Sequence, residues 1–501
     1  MPVYRFGPFR LDTDGYRLMK GETAVPAPPR QLDLLACLAG DPSRLVTREE
    51  LFERLWSGVA VTDNALTQLV SELRQTLGDR SGDPQYVQTV ARRGYRFIAP
   101  VERVDVAAAV SPAAASAPSR RIAETSSLDV MRAVTDGRLQ LEALDASQVE
   151  AAIQNFKQAI ALDPTFAAGY VGLANAHFWQ YEGSRFSFRP DAALLAVAIG
   201  EARQGLALAP DYAEAHATLA YLLTASERTA EACAAARQAI ALQPDYWGHY
   251  FRLGHAAWGQ ERLDALTRCL QLYPPFPFAY FQMAMVHVAR QALVKARRVL
   301  EEGIALQQRL GEARSRFPAN GLHWMLGSVL LAMGDFAGAL AELAREGKDD
   351  RRTLYAREYA VAALNAQGWA RLAAGDVAQA DTAFRASLQL HAEQVRPHLG
   401  LALVARRRRQ ARAADDALGA ARQSIEQLRQ GGRAVEASLM AAAENMVEDR
   451  HEHAVDALES LLLQTDHGPA GWMMPIEPLF QPLASSQRFR DVLRRLAERA
   501  A

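Results

Sequence analysis

Cysteine is nearly absent from this chain: Cys37, Cys233 and Cys269 are the only three in 501 residues. Their odd number and wide spacing exclude a disulfide framework and a zinc-ligand pattern. Lysine occurs at only four positions, so the basic charge is almost all arginine, a bias attributed to genome composition before function. The formal net charge of −1 excludes a protein that is basic throughout. Long apolar runs are missing as well. The uncharged stretch Phe317 to Gly334 contains Asn320 and His323 and is a poor bilayer span. Met1 leads straight into Pro2-Val3-Tyr4-Arg5-Phe6, without the basic start and apolar core of a secretory signal. No phosphate-binding loop, dinucleotide fingerprint, nucleophile elbow or metal-protease helix occurs. These absences describe a cytoplasmic, non-membrane protein that is not an enzyme and needs no cofactor.

What is present divides the chain. Half the residues are hydrophobic and 23% are charged, enough to bury cores in two to four domains. The segment Asp105 to Ser119 has Ala, Ser or Pro at twelve of its fifteen positions. It lacks the large apolar side chains that offset the entropy of ordering a chain. It therefore reads as a flexible linker over 105–121, between a first domain at 1–104 and a second at 122–501.

The first hundred residues alternate between strand and helix patterns. Val3–Leu11 is strand-like, and Arg17–Val25 forms a hairpin around Gly21-Glu22. Pro28-Pro29 opens a helix carrying Leu32, Leu35, Leu38 and Ala39 on one face. Thr47-Arg48-Glu49-Glu50 is a capping box that starts a short second helix through Leu51 and Leu55 to Trp56. Thr62 or Asp63 caps a third, whose Leu66, Leu69, Val70, Leu73 and Leu77 make one apolar stripe ending at Gly78. Tyr86 to Ile98 alternates around Arg92-Arg93-Gly94 as a terminal β-hairpin would.

From about residue 122 the pattern is helical and repeated. Pro164, Pro210, Pro244 and Pro274 are each followed nine residues later by Leu173, Leu219, Leu253 and Met283, and then by a small residue: Ala174, Ala220, Gly254 or Ala284. The 34-residue step from Pro210 to Pro244 is the period of a tetratricopeptide repeat, a helix-turn-helix unit. The 46-residue step before Pro210 implies an insertion, and the 30-residue step after Pro244 a shortened hairpin. Looser units follow at Leu326-Gly327 with Gly334-Asp335-Phe336, at Gly368 with Gly375-Asp376-Val377, and at Leu399-Gly400. Phe489, Val492, Leu493 and Leu496 form a terminal amphipathic helix, read as a cap. The fold class is multidomain and mainly α: an N-terminal α/β winged helix-turn-helix, then an α-solenoid.

With its apolar stripe buried, the third helix leaves Asn64, Thr67, Gln68, Ser71, Arg74 and Gln75 for a partner. These side chains suit base edges and phosphates in a major groove. Arg92 and Arg93 at the hairpin tip and Arg96 on its return strand suit phosphate or minor-groove contact. Leu73-Arg74, Gln88-Thr89-Val90 and Gly94-Tyr95-Arg96-Phe97 resemble the winged-helix domain of OmpR-type bacterial transcriptional regulators. The Arg92 to Phe97 run is similar to the branch typified by CadC and HilA, in which this domain comes first. That resemblance implies a DNA-binding regulator with the third helix as recognition helix and the hairpin as wing. No phosphoacceptor domain precedes it here and no membrane span follows, so the arrangement resembles a one-component regulator. Its implied partners are promoter double-stranded DNA, RNA polymerase, a second copy of the chain and a signal taken by the repeats. The rival reading is an interaction scaffold whose winged helix contacts protein. Residues 1–100 hold 13 basic against 12 acidic side chains, weak for a strong DNA binder, and Glu72 is unfavourable unless it turns away.

The proline register also names a concave face: Val171, Asn175 and Phe178; Glu214, Ala217 and Tyr221; Phe251, His255 and Trp258; Phe278, Phe281 and Met285. Nineteen of the 39 aromatic residues fall between Phe166 and Phe281, under a quarter of the chain. This face offers an apolar groove for a peptide, helix or small molecule. The plainer alternative is that the rings fill gaps in irregular repeats or are covered by a later helix. Arg406 to Arg409 point all round a helix and read as a solvated segment, and His451 and His453 diverge too far to share a metal.

Overall fold

The computed structural model describes residues 3–12, 17–21, 23–25, 27, 29–40, 42–48, 50–51, 63–79, 84–90, 93–104, 127–142, 145–310, 319–346, 355–465 and 468–501. The expected linker and most of the expected second helix lie outside them. The chain separates into two compact units, Met1–Ala117 and Pro118–Ala501.

In the first unit, β1 (Val3–Phe6), β2 (Phe9–Asp12), β3 (Arg17–Lys20) and β4 (Thr23–Val25) form an antiparallel meander, and β8 (Glu102–Val104) pairs with β1. Val3–Leu11 is therefore two strands rather than one, reversed at Gly7, which has a positive φ of 51°. Helix α1 (Pro29–Ala39) leads to β5 (Leu45–Thr47). The capping box forms reciprocally: Glu50 N donates to Thr47 Oγ1 at 3.2 Å and Thr47 N to a Glu50 carboxylate oxygen at 3.1 Å. Helix α2 (Asp63–Leu77) follows, and then β6 (Val87–Val90) and β7 (Gly94–Phe97), which close a three-stranded sheet ordered β5-β7-β6. All five stripe residues of α2 are buried, packed with Phe6, Phe9, Leu35, Leu38 and Phe97.

The second unit, among the described residues, is a run of nine helical hairpins. They are α3 and α4 (Leu128–Glu142, Val149–Leu162), α5 and α6 (Ala167–Ser184, Ala192–Leu208), and α7 and α8 (Ala213–Ala225, Thr229–Leu242). Next come α9 and α10 (Trp247–Ala256, Gly259–Leu272), α11 and α12 (Phe278–Ala289, Leu293–Leu310), and α13 and α14 (Leu322–Ala332, Phe336–Leu343). The last are α15 and α16 (Ala356–Ala373, Val377–Leu390), α17 and α18 (Arg396–Arg407, Ala411–Gln430), and α19 and α20 (Ala434–Val447, His451–Gln464), followed by α21 (Gln487–Arg499).

Two local rules generate the series. Each register proline ends the helix before it by forcing its predecessor out of the α region. Asp163, Ala209, Gln243 and Tyr273 all sit near φ −140° with ψ between 80° and 92°. Within hairpins, Glu227, Gln291, Gly334, Gly375, Arg409 and Asp449 adopt positive φ at the same point of the turn. The next residue's N–H then returns to a carbonyl five residues back, as in Asp335 N to Leu330 O and Gln410 N to Ala405 O, both 2.9 Å. This is the Schellman closure of a helix end. The small residues of the sequence pattern are interhelical contacts: Ala174, Ala220 and Ala284 are fully buried, and a Cβ on Gly254 would lie 2.7 Å from Leu266. Phe384 wedges between Gly368 and Gly400 of flanking helices, as Phe156 does between Gly137 and Gly172.

The insertion and shortening inferred from proline spacing are visible as α5 and α6 of 18 and 17 residues and α9 of ten. The segment after α5 packs against distant hairpins. Phe188 N donates to Glu393 at 2.8 Å, Arg433 donates to Ser187 O at 2.8 Å, and the Phe186 ring stacks on His391 at 4.5 Å. Helix α21 buries Phe489, Val492 and Leu496, with Leu493 half-buried, but it does more than cover one end. Arg290 donates to Ala500 O at 2.7 Å and Gln291 to Leu493 O at 3.3 Å, so it also ties to the α11–α12 turn. The run Arg406–Arg409 is exposed, as expected of a solvated segment, and two of its side chains are also anchored. Arg406 donates to Val447 O and Arg407 to Leu372 O at 2.6 Å, capping carbonyls at the ends of α19 and α15.

Candidate nucleic-acid interface

Helix α2 presents Thr67, Ser71 and Gln75 on the face opposite its buried stripe, and all three are exposed. The four-residue spacing puts them in one row along the helix. Asn64 and Gln68 lie on the same helix, though their side chains are outside the described residues. Glu72 turns away from that row. It takes a hydrogen bond from Gln31 of α1 at 3.4 Å, and Gln31 in turn accepts one from Thr76 at 2.9 Å.

Arg74 does not extend with this row. Its guanidinium donates to Val87 O at 2.6 and 3.2 Å and to Thr89 Oγ1 at 2.8 Å, so it fastens α2 to strand β6. The sequence groups it with the partner-facing residues because it lies off the buried apolar stripe; the pairing with β6 is a tertiary contact. A second fastening, which sequence reasoning missed, is Asp79. Its carboxylate is buried and accepts the backbone N–H groups of Gln85 at 2.6 Å, Tyr86 at 3.2 Å and Val87 at 2.8 Å. Burial and the nearby Asp79 charge both push the Tyr86 hydroxyl pKa up. That acid is thus tied to the backbone entering β6 and is not presented on the exposed row of α2.

The β6–β7 hairpin carries the arginines. Arg93 is exposed in its turn, Arg96 is half-buried on β7, and Arg92 lies outside the described residues. Gly94 pairs with Thr47 of β5, and a Cβ there would stand 2.1 Å from Val46 O. The close approach of two backbones and the positive φ of 155° together require glycine at this position.

The residues expected to line an open groove are brought together, but inside the second unit. Phe178 and Phe281 are buried by their own chain. Phe178 packs 4.8 Å from Tyr221, and Phe281 lies between Phe278, Trp324 and Tyr359 at 5.6 to 6.3 Å. Asn175 ties α5 to α7 through Thr218 Oγ1 at 3.0 Å. Tyr221, Phe251, His255, Phe278 and Met285 are half-buried. Trp258 is not on a first helix; it is the N-cap residue of α10, because α9 ends at Ala256. An open face along the first helices is therefore replaced by an interior that α13 and α15 cover in part. The proline register could not show this, since Tyr359 lies 78 residues from Phe281 in the chain.

Among the described residues no helix is long and apolar enough to cross a membrane, and no group of three or more His, Cys, Asp and Glu could hold a metal ion.

The fold and this surface define a winged helix of the OmpR/PhoB type followed by tetratricopeptide repeats. Residues 21–97 match the family described as "Transcriptional regulatory protein, C terminal", residues 144–180 "TPR repeat" and residues 213–246 "Tetratricopeptide repeat". The transcriptional activator CadC of Escherichia coli K12 is 34% identical over 101 residues, 20% of each chain. The transcriptional regulator HilA of Salmonella typhimurium is 30% identical over 96 residues, 19% of this chain and 17% of that one. Among solved structures, the DNA-binding domain of E. coli CadC is 31% identical, with a TM-score of 0.19, covering 20% of this chain and 96% of that one. The chain thus spans about a fifth of the length of these two curated relatives.

Proposed function

We propose that this protein is a one-component, sequence-specific DNA-binding transcriptional regulator, with a DNA-reading domain at 1–104, a linker at 105–121 and a repeat domain at 122–501 that takes a signal or partner. It works in the cytoplasm on promoter DNA and is not a catalyst. Helix α2 enters the major groove through Asn64, Thr67, Gln68, Ser71 and Gln75, and the wing sets Arg92, Arg93 and Arg96 against the flanking phosphates or minor groove. Arg74 acts as a positioning residue that holds the wing to the reading helix. RNA polymerase and a second copy of the chain are the further partners of this reading.

The observation that carries it is the exposed Thr67-Ser71-Gln75 row beside an arginine-bearing hairpin fixed to the same helix. The test is a gel shift with the full chain on DNA from upstream of its own gene, with unrelated DNA as competitor. The reading expects sequence-preferring, salt-sensitive binding that weakens in Arg92→Ala/Arg93→Ala. A folded protein that shifts both DNAs equally, or neither, supports the scaffold reading instead.

A further inference from the structure

The second unit holds two arginines that no acid answers, Arg252 half-buried and Arg262 buried. Arg252 of α9 lies with its guanidinium 4.0 Å from the centre of the Tyr221 ring and 5.9 Å from that of Phe251. It makes no hydrogen bond or ion pair among the described residues. Arg262 of α10 is 4% exposed and sits 4.7 Å over Trp258. Its hydrogen bonds go to Ala257 O at 2.9 Å and His255 O at 3.0 Å, with Met285 Sδ at 3.8 Å, and none goes to a carboxylate. Burial without a counter-charge pushes its pKa down to about 9.

The polar groups around these cations are donor-rich. His255 accepts at Nδ1 from Gln282 at 2.8 Å, which leaves its Nε2 carrying the hydrogen. Burial and the neighbouring arginines hold that ring neutral. The indole N–H of Trp258 and the side-chain oxygen of Gln282 are buried without a hydrogen-bond partner. The interior acids are already engaged. Glu182 takes the Tyr355 hydroxyl and faces Arg185 at 3.5 Å, while Glu358 faces Arg185 at 3.3 Å. Flat rings surround the two cations: Tyr221 and His255 meet edge to face at 4.6 Å beside Phe178 and Phe251.

A buried cation and orphaned polar atoms are costly unless something pairs with them. We propose that this cluster, with Arg252 and Arg262 as its charges and Tyr221, Phe251, His255 and Trp258 around them, binds a small molecule made of a flat apolar ring bearing one anionic group. The anion pairs with Arg252, and the ring stacks among the aromatic side chains. The inference rests on the reading of the repeats as the signal-taking domain and gives that signal a chemical class.

The probes are 2-naphthoate and its neutral counterpart 2-naphthalenemethanol, each titrated by displacement of 8-anilinonaphthalene-1-sulfonate fluorescence from the full chain without DNA. The expected result is that 2-naphthoate displaces the dye at least tenfold more effectively than the alcohol. Arg252→Ala should remove that preference and Arg252→Lys should recover part of it, with circular dichroism unchanged. Should Arg252→Ala fail to fold, Arg252→Gln carries the same comparison. Equal displacement by acid and alcohol, or a preference that survives in the folded Arg252 variant, overturns the proposal. Because no DNA enters this assay, its failure leaves the DNA-binding reading standing, and loss of DNA binding would not alter the titration.

Discussion

Replacing Asp79 by alanine isolates the device that sets the wing against the reading helix. Its carboxylate accepts three backbone N–H groups between residues 85 and 87, and the side chain is buried. Hydrogen bonds to a charged group contribute about 1.5–3 kcal/mol each, but three that share one carboxylate are not additive, so about 3 kcal/mol is expected for the whole substitution. In a domain of this size that corresponds to a fall of roughly 12–24 °C in melting temperature. Hydrogen exchange locates the effect more sharply. The amides of Gln85, Tyr86 and Val87 should exchange about 100-fold faster, while those of the repeat hairpins are unchanged. DNA affinity should fall together with wing protection, although Asp79 is buried and lies off the exposed row of α2. Asp79→Asn keeps one acceptor oxygen and should show roughly half the effect. If Asp79→Ala leaves those three amides protected and the melting temperature within about 3 °C of wild type, the carboxylate does not hold the wing and the reasoning fails.

Other perturbations follow from the same geometry. Gly94→Ala drives a Cβ into Val46 O, so β5 should part from β7 at a cost of about 2–4 kcal/mol by chemical denaturation, with loss of DNA binding. Gly172→Ala, whose Cβ would stand 2.1 Å from Phe156, should destabilise by about 1–3 kcal/mol. Gly419→Ala, on an exposed helical position with open space, should instead stabilise by about 1 kcal/mol. His249 is buried with Nδ1 unpaired, and burial lowers its pKa from 6.5 to about 4. A depressed histidine contributes stability that is complete above the unfolded value and lost as pH falls through the folded one. Unfolding free energy of the repeats should therefore drop by about 3 kcal/mol from pH 6.5 to below 4, and His249→Gln should flatten that slope.

Local grammar was readable in the sequence, and long-range closure was not. The four prolines, the small residues after each register position and the Leu66 to Leu77 stripe act within one or two turns of helix, so their consequences follow from backbone chemistry alone. The capping box at Thr47 and Glu50 is of the same kind. By contrast, Arg74 reaches β6 across thirteen residues, Asp79 reaches Val87 across eight, and Arg433 reaches Ser187 across 246. None of those pairings leaves a periodic trace. The aromatic excess between Phe166 and Phe281 was visible as composition, but whether it faced outward depended on where Trp324 and Tyr359 came to lie. Trp258 was misplaced because the α9 helix stops two residues short of it. That stop was foreshadowed by the 30-residue spacing, although its exact position was not.

The most direct test of the central claim is where helix α2 meets a duplex. A cleavage reagent attached at Thr67→Cys, in a chain whose half-buried Cys37 is replaced by serine, should cut a bound promoter fragment at one central position on each strand. The same reagent at Arg93→Cys should cut toward the flank. Cleavage scattered evenly along the fragment, or none from either position while the protein remains folded, would contradict the account.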